Sequence, residues 1–175
     1  MFLRCRSSWQ LSLIVLLLLA TSCANSRSDT IRRKFPMPPA DLMPRRVMVA
    51  KHSEIDVDGN GYIDGVLVTV YYFNPDRPPP GSEQPFHRDG TLKFQLVGPQ
   101  GEVLCEGQFS PEIMAKSRSD QAFGPGYPIQ IQFGSRGYAD VRERVGARLD
   151  FEFLPKADPE RRSFGSTQIR LGPMF

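Results

Sequence analysis

An aspartate-rich segment carries the strongest chemical signal in the sequence: Asp56-Val57-Asp58-Gly59-Asn60-Gly61-Tyr62-Ile63-Asp64. Side-chain oxygen donors occupy its first, third, fifth and ninth places, and a glycine occupies the sixth. A hard divalent cation takes about six to eight oxygen ligands, and alternate side chains of a tight loop converge on one point. Gly61 permits the sharp turn that this convergence needs. The spacing therefore indicates a candidate cation site.

The segment resembles the calcium loop of EF-hand and dockerin-like proteins over nine of that loop's twelve positions, with isoleucine at the eighth. The resemblance implies that Asp56, Asp58 and Asn60 are side-chain ligands. It also implies that Tyr62 supplies its backbone carbonyl and that Asp64 binds directly or through water. The cofactor expected from this likeness is one Ca²⁺ ion with a structural role.

The resemblance stops at the twelfth place, where Leu67 stands instead of the bidentate glutamate. The flanking segments Val47–Ala50 and Val66–Phe73 are rich in β-branched and aromatic residues, so they predict strands and not the helices of an EF-hand. We expect weak binding, in the range of about 0.1–1 mM, unless Glu54 or a distant carboxylate replaces the missing ligand. The alternative is a polar, solvated turn that holds no ion.

The amino-terminal segment is typical of an export signal. Arg4 and Arg6 precede the apolar run Leu11–Ala20, which is too short to cross a bilayer as a helix. The run ends in Ala20-Thr21-Ser22-Cys23, which resembles the lipobox of bacterial lipoproteins, although that motif usually starts with leucine. The resemblance implies that residues 1–22 are a signal peptide and that Cys23 is lipidated. An ordinary secretory signal is the alternative, and either would take the protein out of the cytoplasm.

Residues 23–46 read as a basic, proline-rich tether. Six basic and two acidic residues lie in 24–46, and no hydrophobic period is visible there. The tether's cations could attract anionic lipid headgroups, or the tether could be only a soluble spacer. The remaining residues 47–175 hold 14 basic and 17 acidic side chains, so a nucleic-acid partner is not expected.

From Val47 onward, apolar and polar residues alternate with the period of β-strands. About seven strands separated by glycine, proline and aspartate turns predict an all-β, immunoglobulin-like β-sandwich over residues 47–175. Val66–Phe73 is apolar on both faces, which predicts a central strand. Ser110 followed by Pro111 predicts one short helix, ending near Lys116, that crosses between the sheets.

No catalytic motif accompanies this fold, so we expect a protein that is not an enzyme. Cys105 alternates with Val103, which predicts a buried, inert thiol. Two function classes remain. The first is a lipid-anchored binding or scaffolding protein of the bacterial cell envelope, expected to be a monomer with a possible envelope-protein partner. The second is a calcium-dependent carbohydrate-binding or adhesion module with a glycan partner. Over about residues 50–172, the chain resembles bacterial envelope lipoproteins that join an Asp-Gly-rich loop to a sandwich.

Overall fold

The computed structural model describes residues 39, 41–74, 84–136 and 138–174, and within these ranges the chain forms nine strands and one α-helix. The strands are β1 (Arg46–Ile55), β2 (Tyr62–Ile63), β3 (Gly65–Phe73), β4 (Gly90–Val97), β5 (Val103–Phe109), β6 (Ser119–Gln121), β7 (Gly124–Gln132), β8 (Val145–Pro155) and β9 (Ser163–Pro173). The helix, α1, spans Pro111–Lys116, and a short 3-10 helix spans Gly134–Arg136. The predicted signal peptide, Cys23 and most of the tether lie outside the described residues.

The strands form two antiparallel sheets packed face to face. The first has the order β1-β3-β7-β6, and the second has the order β2-β9-β8-β4-β5. With β2 set aside, these orders correspond to the A-B-E-D and G-F-C-C′ sheets of immunoglobulin-like domains. The predicted all-β, immunoglobulin-like sandwich is therefore confirmed, and the short strands β2 and β6 are added to the seven that the sequence predicts.

The core lies between the two sheets because apolar residues alternate along each central strand. On β3, the side chains of Val66, Val68, Val70 and Tyr72 are at most 1% exposed. The ring of Tyr72 stacks on Phe153 of β8 in the opposite sheet, with centroids 4.1 Å apart. Burial of a large apolar side chain contributes about 1.5–3 kcal/mol. These contacts hold the two sheets in one relative position.

The strand β3 lies between β1 and β7, as predicted for a strand with two apolar faces. Its outer face carries Thr69 and Tyr71, which are 0% and 2% exposed. The edge of the Phe123 ring meets Tyr71 at 6.2 Å, and His52 Nε2 lies 2.7 Å from Thr69 Oγ1. Since its inner face is buried and its outer face is covered at Thr69 and Tyr71, β3 is a fixed support for the aspartate-rich segment that precedes it.

The helix α1 begins where the sequence predicts. Ser110 is its N-cap, and the Ser110 Oγ atom accepts a hydrogen bond from Ile113 N at 3.5 Å. Met114 packs into the core and is fully buried. Because α1 joins β5 of the second sheet to β6 of the first, it is the crossing helix that the sequence predicts.

On β5, one predicted side-chain direction is wrong. Simple alternation places Val103 on the face of Cys105, but Val103 is 52% exposed whereas Cys105 is 5% exposed. Leu96 pairs with Cys105 and Val97 pairs with Val103, so Leu104 is an extra residue in the strand. A β-bulge of this kind reverses the alternation beyond it, which turns Val103 outward.

The chain joins the sandwich a few residues before Val47. Leu42 is 6% exposed, and β1 begins at Arg46. The last part of the predicted tether therefore packs on the folded domain. Among the described helices, none has the length and apolar character needed to span a membrane.

Candidate metal centre

The aspartate-rich segment connects β1 to β3, two antiparallel neighbours in the first sheet. At its end, Asp64 N donates a hydrogen bond to Ile55 O at 3.1 Å, and Phe133 N donates to Asp64 O at 2.7 Å. Tyr62 and Ile63 form β2 and pair with β9 of the second sheet. The segment, which we call the acidic turn (residues 56–64), is therefore attached to both sheets.

Asp56 organises the acidic turn through its carboxylate. Its Oδ1 atom accepts hydrogen bonds from the backbone N–H groups of Gly59 at 2.6 Å and Asn60 at 3.2 Å, and its Oδ2 atom accepts one from Gly61 at 2.7 Å. Gly59 and Gly61 have φ values of 80° and 88°, which glycine adopts without a steric penalty. The N–H of Gly61 first, and those of Gly59 and Asn60, hold the pKa of Asp56 below its ordinary value because they stabilise the charged form.

Three carboxylates of the acidic turn converge. One oxygen atom each from Asp56, Asp58 and Asp64 lies within 4.8 Å of the others, and this group could hold a metal ion. Asp64 is the buried member at 6% exposed, and its Oδ1 atom accepts a hydrogen bond from Val57 N at 2.6 Å. Within the described part of the chain, no lysine or arginine forms an ion pair with any of the three. Because like charges at this separation repel, a bound cation would remove an unfavourable interaction.

The other two predicted ligands, Asn60 and Tyr62, lie in the same turn. Asn60 Oδ1 accepts a hydrogen bond from Tyr62 N at 2.9 Å, and Asn60 Nδ2 donates to Asp58 Oδ2 at 3.1 Å. An amide oxygen has two lone pairs, so this hydrogen bond leaves Asn60 Oδ1 able to ligate a cation. Ligation by Asn60 and by the Tyr62 carbonyl stays a prediction.

A further carboxylate, which no sequence pattern indicates, lies beside the turn. Asp140 lies between β7 and β8, and its Oδ2 atom accepts a hydrogen bond from Asn60 Nδ2 at 2.8 Å, across 80 residues of sequence. Glu54, the nearby substitute considered from sequence, is engaged elsewhere: its Oε1 atom accepts from Lys51 Nζ at 2.6 Å and from Arg170 N at 3.0 Å. No local motif marks Asp140, since only the fold brings it to the turn.

Potential nucleophiles and bases outside the acidic turn are held in structural contacts. Cys105 is buried, and burial raises the pKa of its thiol to about 11, so the thiol is protonated at neutral pH. The prediction that Cys105 is buried is confirmed, and the raised pKa agrees with an inert thiol. His87 Nε2 lies 3.2 Å from Gly126 O, and burial lowers the pKa of this histidine.

Comparison with known proteins gives no family: no family model matches the sequence, and no curated protein matches it. The class of cation that the acidic turn could bind therefore follows from its donor atoms and their geometry. Converging carboxylates without a nitrogen or sulfur donor among them suit a hard cation.

Proposed function

We propose that this chain is a non-catalytic, lipid-anchored protein of the bacterial cell envelope whose β-sandwich binds or scaffolds other envelope components. We further propose that its acidic turn holds one structural Ca²⁺ ion. The observation that carries the metal part is the convergence of Asp56, Asp58 and Asp64 within 4.8 Å. The anchor and the location outside the cytoplasm are supported by Cys23, which is separated from an export-type apolar run only by Thr21 and Ser22.

Calcium suits this donor set better than other common cations. Zinc and copper favour nitrogen and sulfur ligands, whereas the three carboxylates offer only oxygen. Mg²⁺ demands near-octahedral geometry, and an irregular turn supplies the looser shell that Ca²⁺ accepts. Asn60 Oδ1, the Tyr62 carbonyl and the Asp140 carboxylate are the groups that we propose as further ligands, with water completing a shell of about seven oxygens.

The proposed role of the ion is structural because the acidic turn ties the two sheets together. The strand β2 pairs with the end of β9, and Met174 N donates a hydrogen bond to Gly61 O at 2.9 Å. A cation that draws the carboxylates together also fixes these contacts. No second calcium loop accompanies the turn in the sequence, so we propose a brace and not a calcium-driven switch.

A binding role is supported by the state of the reactive groups. Cys105 is buried and protonated at neutral pH, and each of the two histidines lies within hydrogen-bond distance of a neighbouring oxygen. Burial keeps the Cys105 thiol from acting as a nucleophile, which supports a binding role over covalent catalysis.

The alternative of a carbohydrate-binding module draws no support from the aromatic run of β3. Tyr71 and Tyr72 are 2% and 0% exposed, so neither presents an open ring face on which a sugar could stack. The glycan alternative would need a different surface, and we place the binding and scaffolding role first.

Isothermal titration of CaCl₂ into the purified chain tests the metal site. We expect one site of about 0.1–1 mM, which Asp58→Asn removes. Asp58 is exposed, so this variant should fold normally, and Asp120→Asn on β6 is a matched control that should retain the site. Asp140→Asn should weaken binding by about tenfold if this carboxylate is a ligand. Equal heats for the wild type and Asp58→Asn would exclude the site.

Metabolic labelling with palmitate tests the anchor independently. The wild type should incorporate the label and Cys23→Ser should not, because Cys23 is the acceptor that the lipobox-like sequence implies. Cys105→Ser is the matched control and should remain labelled, since Cys105 is buried. An unlabelled wild type would exclude lipidation and leave the calcium proposal standing.

A further inference from the structure

The end of the sandwich opposite the acidic turn carries a cavity of about 820 Å³, lined by residues 41–45, Asn74, Arg161 and Arg162, which we call the arginine groove. The strand β3 links the two ends: Gly65 follows the acidic turn, and Phe73 precedes Asn74. Nine strand residues at about 3.3 Å each separate the ends by roughly 30 Å. The groove is therefore distinct from the candidate metal centre.

The wall of the arginine groove is built into the fold. Ser163 Oγ donates a hydrogen bond to Pro44 O at 2.6 Å, and Asn74 Nδ2 donates to Met43 O at 2.8 Å. Leu42 next to them is 6% exposed. Since β3 leads into Asn74 and β9 begins at Ser163, this stretch of chain is fixed to both sheets.

Three of the eight lining residues are arginines, and the lining holds one acidic residue, Asp41. Arg161 Nε lies 3.2 Å from Asp158 Oδ2, and Arg162 Nη1 lies 2.9 Å from Glu152 Oε1. The two arginine side chains remain 65% and 56% exposed, and exposed ion pairs are weak. Each guanidinium has five N–H donors, so one such pair leaves it able to bind a further anion.

We propose that the arginine groove docks on the phosphate groups of anionic phospholipids, so that this end of the sandwich rests on the membrane. Guanidinium groups bind phosphate through paired N–H···O hydrogen bonds. The inference rests on the lipid anchor at Cys23 proposed above. In the sequence, four basic residues precede the groove, Arg27, Arg32, Arg33 and Lys34, and Arg46 follows its first stretch.

The position of the groove along the chain supports a membrane as its occupant. Sixteen residues lead from Cys23 to Pro39, a length that spans at most about 55 Å. The groove is thus the part of the sandwich closest to the anchor along the chain. An anionic surface attracts the groove and would repel the acidic turn if that end faced it. Because the two ends are roughly 30 Å apart, only one of them can lie at the surface, and the charges favour the groove.

Hydrogen–deuterium exchange on the full lipidated chain tests this docking. The chain is bound to vesicles of phosphatidylcholine, with or without phosphatidylglycerol, and exchange is followed at residues 41–45 and 156–162. We expect exchange there to slow by about tenfold on the anionic vesicles. The double variant Arg161→Gln/Arg162→Gln should lose this difference. Arg142→Gln/Arg170→Gln, with two exposed arginines outside the groove, should keep it.

Four other outcomes are decisive. Equal exchange on both vesicles would overturn the docking and leave the anchor intact. Binding to anionic vesicles alone would contradict the lipid anchor but support docking by the groove. Binding to neither kind of vesicle would contradict both proposals. If inorganic phosphate gave the same protection on phosphatidylcholine vesicles, the groove would be a site for free phosphate and the membrane assignment would be wrong.

Discussion

The charged side chains at the two ends of the sandwich have different kinds of hydrogen-bond partners. In the acidic turn, the carboxylates of Asp56 and Asp64 accept hydrogen bonds from backbone N–H groups, the shortest at 2.6 Å. In the arginine groove, side chains pair with side chains, as Arg162 does with Glu152 at 2.9 Å. Backbone amides orient a carboxylate and leave its full charge in place, whereas an exposed ion pair offsets part of an arginine's charge and leaves some of its N–H donors unused. The acidic turn should therefore respond to dissolved cations, and the groove to anions.

The largest effect should come from Asp64→Ala. Asp64 is buried, so this change removes its packing and leaves the part-buried N–H of Val57 without its acceptor. We expect a loss of about 1–3 kcal/mol in the free energy of unfolding. Urea unfolding without calcium measures it. Asp58→Ala is the control, because an exposed carboxylate should change stability by less than about 0.5 kcal/mol. Equal losses in both variants would show that the buried carboxylate of Asp64 contributes no more to stability than the exposed carboxylate of Asp58.

Calcium itself should give the next largest effect. A ligand at about 10 mM that binds the folded state at 0.1–1 mM adds roughly 1.4–2.7 kcal/mol to its stability. Thermal unfolding in CaCl₂ and in a chelator measures the difference, and MgCl₂ at the same concentration is the control. Equal stabilisation by both cations would indicate general charge screening and not a calcium site.

Acid should weaken the acidic turn through Asp56. Its pKa is lowered in the folded state, so its contribution to stability is present above the ordinary aspartate pKa and is lost as the pH falls through the lowered value. The Asp56→Asn variant cannot titrate there, so its melting temperature should fall less between about pH 5 and pH 3. Parallel curves for the two proteins would show that the turn's N–H groups do not favour the charged form.

The smallest effect should come from Arg162→Gln in the arginine groove. The ion pair with Glu152 is partly exposed, so its loss should cost less than about 1 kcal/mol and should shrink further in high salt. Urea unfolding at low and high ionic strength measures this change. A loss in the free energy of unfolding as large as that in Asp64→Ala would show that the exposed ion pair of the groove stabilises the fold as much as the buried carboxylate of the acidic turn.

Much of the fold follows from the sequence because its signals are local. The period of two gave the long strands, and the Ser110-Pro111 cap gave the helix. The strands β2 and β6 were missed because two or three residues are too few to show a period. Val103 was misplaced because the extra residue in β5 appears only in its pairing with β4.

The same distinction holds for the candidate site: its local features follow from the sequence, and its long-range contacts do not. The spacing of Asp56, Asp58 and Asp64 along one turn is local, and the structure brings their oxygen atoms together. Asp140 reaches Asn60 only because the connection between β7 and β8 ends beside the acidic turn. Long-range proximity depends on the order of strands, which alternation alone does not determine.

The pairing of β2 with the end of β9 attaches the backbone of the acidic turn to the second sheet. Pro173 pairs with Tyr62, and Met174 N is hydrogen-bonded to Gly61 O. Substitutions at these two positions should therefore shift the backbone of the acidic turn while the buried rings between the sheets stay packed. The affinity of the candidate site for an ion thus depends on a strand that is far from the turn in the sequence.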